Sequence, residues 1–213
     1  MTTNTPPHWD LTNVYPSLSS LKYNADFKKL QKMISELEEY FQTALPKADE
    51  TAKSTLLAET AATLIDRFNA TLLLAGTLGA YIQSFVSTNS YDKEALKKES
   101  EFDMVAVKLG QLGTQATAWI GKVAKRLPDF VNSNPTTQAH AFYLKEAAEQ
   151  SQYLMSPKEE ALAAELSLSG SNAWGKLQGT VTSQLSAEFE LDGKVQKLPM
   201  PALINLRSHP DEE

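Results

Sequence analysis

The sequence predicts a mainly α protein made of long antiparallel helical hairpins and ending in one small C-terminal β-hairpin. Three observations predict it. Apolar residues recur at three- and four-residue spacing over long stretches, helix-start and helix-stop residues punctuate those stretches, and the period drops to two only around a single Asp192-Gly193 dipeptide. With 213 residues, 42% hydrophobic and 22% charged, the chain is long and apolar enough to bury a real core.

The first helix follows Pro16. Tyr23, Phe27, Leu30, Ile34, Leu37 and Phe41 alternate four and three apart, so they form one stripe, while Lys28, Lys29, Lys32, Glu36 and Glu38 occupy the other face. Pro46 ends it, because proline lacks the N–H that a helix interior needs. A second apolar-rich helix is expected from about Thr51 to Val86. Its most apolar run, Ala70 to Val86, contains Thr71, Thr77, Gln83, Ser84, Gly76 and Gly79 and falls short of a membrane-spanning length, so it reads as a buried core helix. The two glycines mark close helix contact or a break.

Ser87 to Asp92 reads as a turn, and Asp92 is placed to cap a third helix running towards Arg126 with Phe102, Val105, Leu109 and Leu112 inward. Leu127-Pro128 is expected to stop it. Ser133-Asn-Pro135 is a further connector, and a helix beginning near Thr137 should carry Phe142 and Leu144 inward. Ser156-Pro157-Lys158-Glu159 is a helix start: a capping hydroxyl, proline at the first helical position and glutamate at the third. That helix passes Leu162 and Leu166 and stops near Gly170. Another starts around Asn172 with Trp174, Leu177 and Val181, and Trp174 is expected in the core. Finally, Glu188–Leu191 and Val195–Leu198 flank Asp192-Gly193, whose residues tolerate the positive φ of a tight hairpin turn. The hairpin is the best internal boundary, giving a helical N-terminal lobe over 1–185 and a short segment over 186–213.

The composition narrows function. Twenty basic against 26 acidic residues leave a net charge of -6, which repels phosphate backbones, so nucleic acid is not an expected partner. No membrane association is expected either. The absence of cysteine excludes disulfides and thiolate chemistry and favours a reducing compartment. Met1 to His8 has neither the charge nor the apolar run of a signal peptide, so a cytoplasmic location is expected.

Chemical motifs are scarce. A zinc hydrolase helix needs two histidines one turn apart with a glutamate between them to take a proton from metal-bound water. The histidines here are His8, His140 and His209, and none has that partner; His209 and Glu212 fit part of the reversed motif, but Glu213 stands where histidine is required. All three read as surface histidines. Gly170-Ser-Asn-Ala-Trp-Gly175-Lys176 comes close to a phosphate loop, yet Leu177 occupies the hydroxyl position and a helix precedes it. Glu38-Glu39, Glu159-Glu160 and Asp211-Glu212-Glu213 read as solvated faces, as do Lys97-Lys98 and Lys122, Lys125 and Arg126. No serine sits in a G-x-S-x-G elbow, and Asn69-Ala-Thr71 matches a glycosylation acceptor in a helical setting. No catalytic, cofactor-binding or metal-ligating residue is assigned in this chain.

Tyr153 to Leu166, Gly170 to Leu177 and Phe189 to Gly193, in that order, resemble the N-terminal portion of the oligoendopeptidase F family of zinc metallopeptidases, which is thimet oligopeptidase-like. Trp9 to Pro16 is similar to that family's opening, and Asn205 to Glu213 to the run leading into its next helix. The resemblance implies a parent that binds zinc and hydrolyses short peptides in a deep cleft, with the H-E-x-x-H helix beyond this segment. It implies a chain without a metal site, inactive alone, whose helices wall the cleft. Its partners would be its own C-terminal catalytic domain and, in the parent, oligopeptide substrate. Such a truncated lobe is expected to self-associate through apolar surface left uncovered. The rival reading is a self-contained helical module that holds a partner helix or peptide in an apolar groove. A weaker third is a nucleotide-dependent enzyme using the Gly170 loop.

Overall fold

The computed structural model describes residues 10–89, 91–191 and 193–208. His8, Trp9, Asp192 and the residues from His209 to Glu213 lie outside them. The described chain is mainly helical and divides into two compact units, 1–164 and 165–213. The β-hairpin boundary expected at 185/186 falls inside the second unit, because the hairpin is held there by flanking helices.

In the first unit, α1 (Leu21–Thr43) starts at Ser20, whose hydroxyl accepts from the Tyr23 N–H at 3.3 Å. Its predicted stripe is inward: Tyr23, Leu30, Ile34, Leu37 and Phe41 are buried and Phe27 packs against them. A 3-10 turn, Leu45–Lys47, carries Pro46 at its start. Next comes α2 (Ser54–Thr88), a 35-residue helix that runs unbroken through both glycines. Its Gly79 marks close contact, since an added Cβ would stand 3.0 Å from the Phe102 ring, whereas Gly76 faces open space. The Ala70–Val86 run is not buried all round: Thr71, Ala75, Leu78, Tyr81 and Ile82 face inward while Leu72 and Leu73 are exposed. By length and composition alone α2 is long and apolar enough to span a membrane, a correction to the shorter run read from the sequence.

Asp92 caps α3 (Lys93–Lys122) by accepting from Glu94 and Ala95 N–H at 2.9 and 3.0 Å. This helix ends before Leu127-Pro128. Proline is tolerated in a first turn, and Pro128 opens the short α4 (Leu127–Phe130) instead of stopping its predecessor. Asn134 caps α5 (Pro135–Ala139), and α6 (Ala141–Gln150) follows. Here Leu144 and Ala147 are buried but Phe142 is 77% exposed. Residues two apart on a helix lie about 200° apart, so Phe142 and Leu144 cannot share one inward face.

Cross-links fix the order of the helices. Gly79 late in α2 meets Phe102 early in α3, and Tyr81 donates to the Tyr15 carbonyl at 2.8 Å just ahead of α1. At the other end the Trp119 indole donates to the Ala48 carbonyl at 2.8 Å. Consecutive long helices therefore run antiparallel. α6 packs on α3, and α4 and α5 pack on α2. Where α3 ends, Gly121 permits a close approach, because a Cβ there would overlap the Ser151 side chain.

Tyr15, Tyr23, Phe27, Tyr81 and Phe85 form an aromatic cluster near the first of these ends. Tyr15 donates to Asp26 at 2.9 Å, but the buried Tyr23 hydroxyl has no partner among the described residues. Burial first, then the nearby Glu101 charge, pushes Tyr23 up to about 12 from 10.0. The folded state thus keeps its proton where the unfolded chain loses it. Below pH 10 this contribution is intact; it disappears as pH rises from about 10 to about 12. Tyr23→Phe is expected to raise neutral-pH stability by about 1 kcal/mol, by deleting an unsatisfied hydroxyl, and to flatten the alkaline loss. Urea midpoints at pH 7 and pH 11 measure both effects.

The second unit holds the last turns of α7 (Pro157–Ser169), then α8 (Ser171–Gln184), the antiparallel strands β1 (Ser186–Leu191) and β2 (Lys194–Pro199), and α9 (Met200–Asn205). The strands pair from Ser186 opposite Pro199 to Leu191 opposite Lys194, and Gly193 turns with φ +70°. The Met200 N–H donates to the Leu185 carbonyl at 2.9 Å, and α9 packs on α8 and β2.

Candidate functional site

His140 sits between α5 and α6. Its Nδ1 lies 2.9 Å from the Thr136 carbonyl, which only accepts, so Nδ1 carries the proton. In the neutral ring Nε2 is then an acceptor, and the Asn69 amide stands 3.4 Å from it. His140 is a half-buried, partnered residue, more enclosed than the surface histidine read from the sequence. His8 and His209 lie outside the described residues. Among the described residues no three His, Asp or Glu side chains gather as a metal-binding group. The donors needed to hold zinc are not assembled there.

The helix start at Ser156 is the most fully realised local motif. The Ser156 N–H donates to Glu159 Oε2 at 2.9 Å, and the Glu159 N–H reaches Ser156 Oγ at 3.5 Å. Glu160 adds a third contact by accepting from the Met155 N–H at 2.9 Å. This carboxylate pair therefore satisfies the exposed N–H groups of a helix end, a job its reading as a solvated face left out. The Ser156 hydroxyl, then its backbone N–H, holds the Glu159 carboxyl below the usual glutamate range. The contribution is present above the unfolded-state value and fades as pH falls through the lowered one. Ser156→Ala is expected to cost about 0.5–1 kcal/mol in opening of this helix start, and Glu159→Gln to remove its acid sensitivity. Amide exchange at residues 158–160 between pH 3 and 6 reads both.

The Gly170 segment does not form a phosphate loop. Gly170 lies between two helices, α7 and α8, with no strand ahead of it. A Cβ there would stand 2.9 Å from the Leu166 carbonyl, so the glycine serves a tight helix-to-helix turn.

Trp174 is 69% exposed, which corrects its expected place in the core. The periodicity is real, but the described residues do not cover the face it marks. Trp174, Leu177 and Val181 recur at i, i+3 and i+7 and are all exposed, as are Leu162 and Leu166 on α7. The hairpin and α9 add Phe189, Val195 and Ile204. The 14-residue α8 carries one charge, Lys176. So much exposed apolar side chain on a nearly uncharged helix is unusual for a surface that faces only water.

Residues 124–186 match the family model described as Oligopeptidase F. No curated protein and no solved structure matches the chain. The matched stretch runs from the turn ahead of α4, through the Ser156 helix start and the Gly170 junction, to the first residue of β1. The ordered resemblance read from residues 153–177 falls within it, and the hairpin portion beyond residue 186 does not. Over residues 124–186, under a third of the chain, the sequence is thus similar to the N-terminal region of the oligopeptidase F family, and that stretch is mainly helical.

Proposed function

We propose that this chain is the N-terminal lobe of a cytoplasmic zinc metalloendopeptidase that hydrolyses short peptides. Its helices wall the substrate cleft, its own C-terminal catalytic domain packs on it, and the lobe is inactive alone. The family match over residues 124–186 carries the reading. It is supported by the exposed apolar stripe of α8, which lies inside the matched stretch and has the character of a face another part of the protein covers. Zinc, with the glutamate base that would activate its bound water, belongs in this reading to the catalytic portion.

The purified chain is expected to hold no stoichiometric zinc and to leave a fluorogenic peptide uncleaved. Stoichiometric zinc with cleavage, contamination excluded, would sink the inactive-lobe reading. Self-association is a separate expected outcome. Sedimentation velocity should show a mass that rises with concentration, and Trp174→Lys with Leu177→Lys should return the chain to monomer. A wild-type chain that stays monomeric throughout would count against an uncovered docking face.

The α8 stripe also fits a self-contained module that binds a partner helix or peptide. The intact mass of the natural gene product separates the two: a mass well above 23.5 kDa favours the peptidase, and a matching mass favours the module.

A further inference from the structure

A cavity of about 230 Å³ lies within the first unit between α2, α3 and α6. Leu64, Ile65 and Phe68 from α2, Trp119 and Ile120 from α3, and Leu144 from α6 supply most of its wall. Leu72 and Tyr143 also line it and are 51% and 48% exposed, so they mark where it opens to solvent. An apolar cavity of about 150 Å³ opened in a protein core by truncating a side chain is already large enough to take up benzene.

Its chemistry narrows the occupant. Among the described residues no Lys, Arg, Asp or Glu side chain lines the wall, so a charged ligand would lose its hydration without compensation. The rings of Phe68, Trp119 and Tyr143 favour an aromatic guest, whose edge and face they can meet. Two further lining residues, His140 and Asn69, add polar groups to the Tyr143 hydroxyl, while the Trp119 N–H is committed to the Ala48 carbonyl. His140 Nδ1–H is committed to the Thr136 carbonyl, which leaves Nε2 an acceptor, and its Asn69 contact is at the long end of hydrogen-bond range at 3.4 Å. A guest O–H or N–H would offer Nε2 a shorter donor.

We propose that this cavity is a binding site for a small uncharged aromatic molecule carrying one O–H or N–H donor, of the phenol or indole type, with His140 Nε2 as the acceptor. It does not depend on the peptidase reading.

The test titrates the full chain with phenol and indole, using toluene and benzoate as controls, and follows the Trp119 indole N–H and Leu144 methyl resonances. Phenol and indole should shift both saturably, toluene should bind about fivefold more weakly, and benzoate not at all. In His140→Phe the preference for phenol over toluene should vanish. Ala116→Leu, which fills the cavity, should abolish binding while the melting temperature holds or rises; Ala61→Leu serves if that variant fails to fold. Absence of saturable shifts in the wild type, equal binding of phenol and toluene, or binding that survives in a folded cavity-filled variant would each overturn the proposal.

Discussion

A Phe130→Ala variant is expected to lose about 3–5 kcal/mol of stability, the largest single-residue effect in the first unit. Phe130 is fully buried, yet it is carried by α4, a helix of four residues. So short a helix does not hold itself together in water. It is kept in place by the side chains it buries, chiefly Leu127 and Phe130, and by its packing on α2. Truncation removes the ring's transfer free energy and opens a void that α4 cannot close without leaving α2. Phe130→Leu, which keeps most of the volume, is expected to cost far less. Urea unfolding followed by near-ultraviolet dichroism checks the pair, with an unchanged m-value marking a change in stability alone. A loss under about 1 kcal/mol in the alanine variant would mean that α4 is not held as described.

Arg126→Lys is expected to cost about 2–3 kcal/mol although the charge is retained. The guanidinium donates from Nη1 to the Glu50 carbonyl at 2.6 Å and the Ala52 carbonyl at 3.2 Å, from Nη2 to Ser54 Oγ at 3.1 Å, and from Nε to Asp129 Oδ2 at 2.7 Å. A planar fork reaches these partners on two sides; a lysine ammonium ends in one point and reaches one or two of them. The α1–α2 connection would then lose its tie to the end of α3. Most of the cost should come from the carbonyl contacts. The Asp129 partner is half exposed, and a double-mutant cycle with Asp129→Asn is expected to give a coupling below about 1 kcal/mol. A larger coupling, with Arg126→Lys otherwise mild, would shift the anchoring role to the ion pair.

The long helices are legible in the sequence because their determinants are local. The Tyr23-to-Phe41 stripe repeats every three or four residues, the Asp92 cap and the Ser156–Glu159 box lie within a few residues, and each forms as read. Helix ends near proline are less legible, since Pro128 serves as well in a first turn as in a stop. Burial is the least legible. The period places Trp174, Leu177 and Val181 on one face, but period does not say what covers a face, and the described residues leave them exposed. The Arg126 clamp and the cavity beside His140 join residues about seventy positions apart, which no local pattern reports. The family resemblance at residues 153–177 is carried by an ordered set of residues and lies within the stretch the family model matches.

The clamp also governs how the first unit assembles in time. Neighbouring helices α1, α2 and α3 touch in chain order, and contacts of that kind form quickly, on the microsecond-to-millisecond scale of helical proteins. The Trp119 and Arg126 bonds to residues 48–54 are different: each requires a loop of roughly seventy residues to close before it forms. Folding of this unit is therefore expected to begin with zippering of adjacent hairpins and to end with ring closure, and mutations at Arg126 should speed unfolding while leaving the refolding rate nearly unchanged.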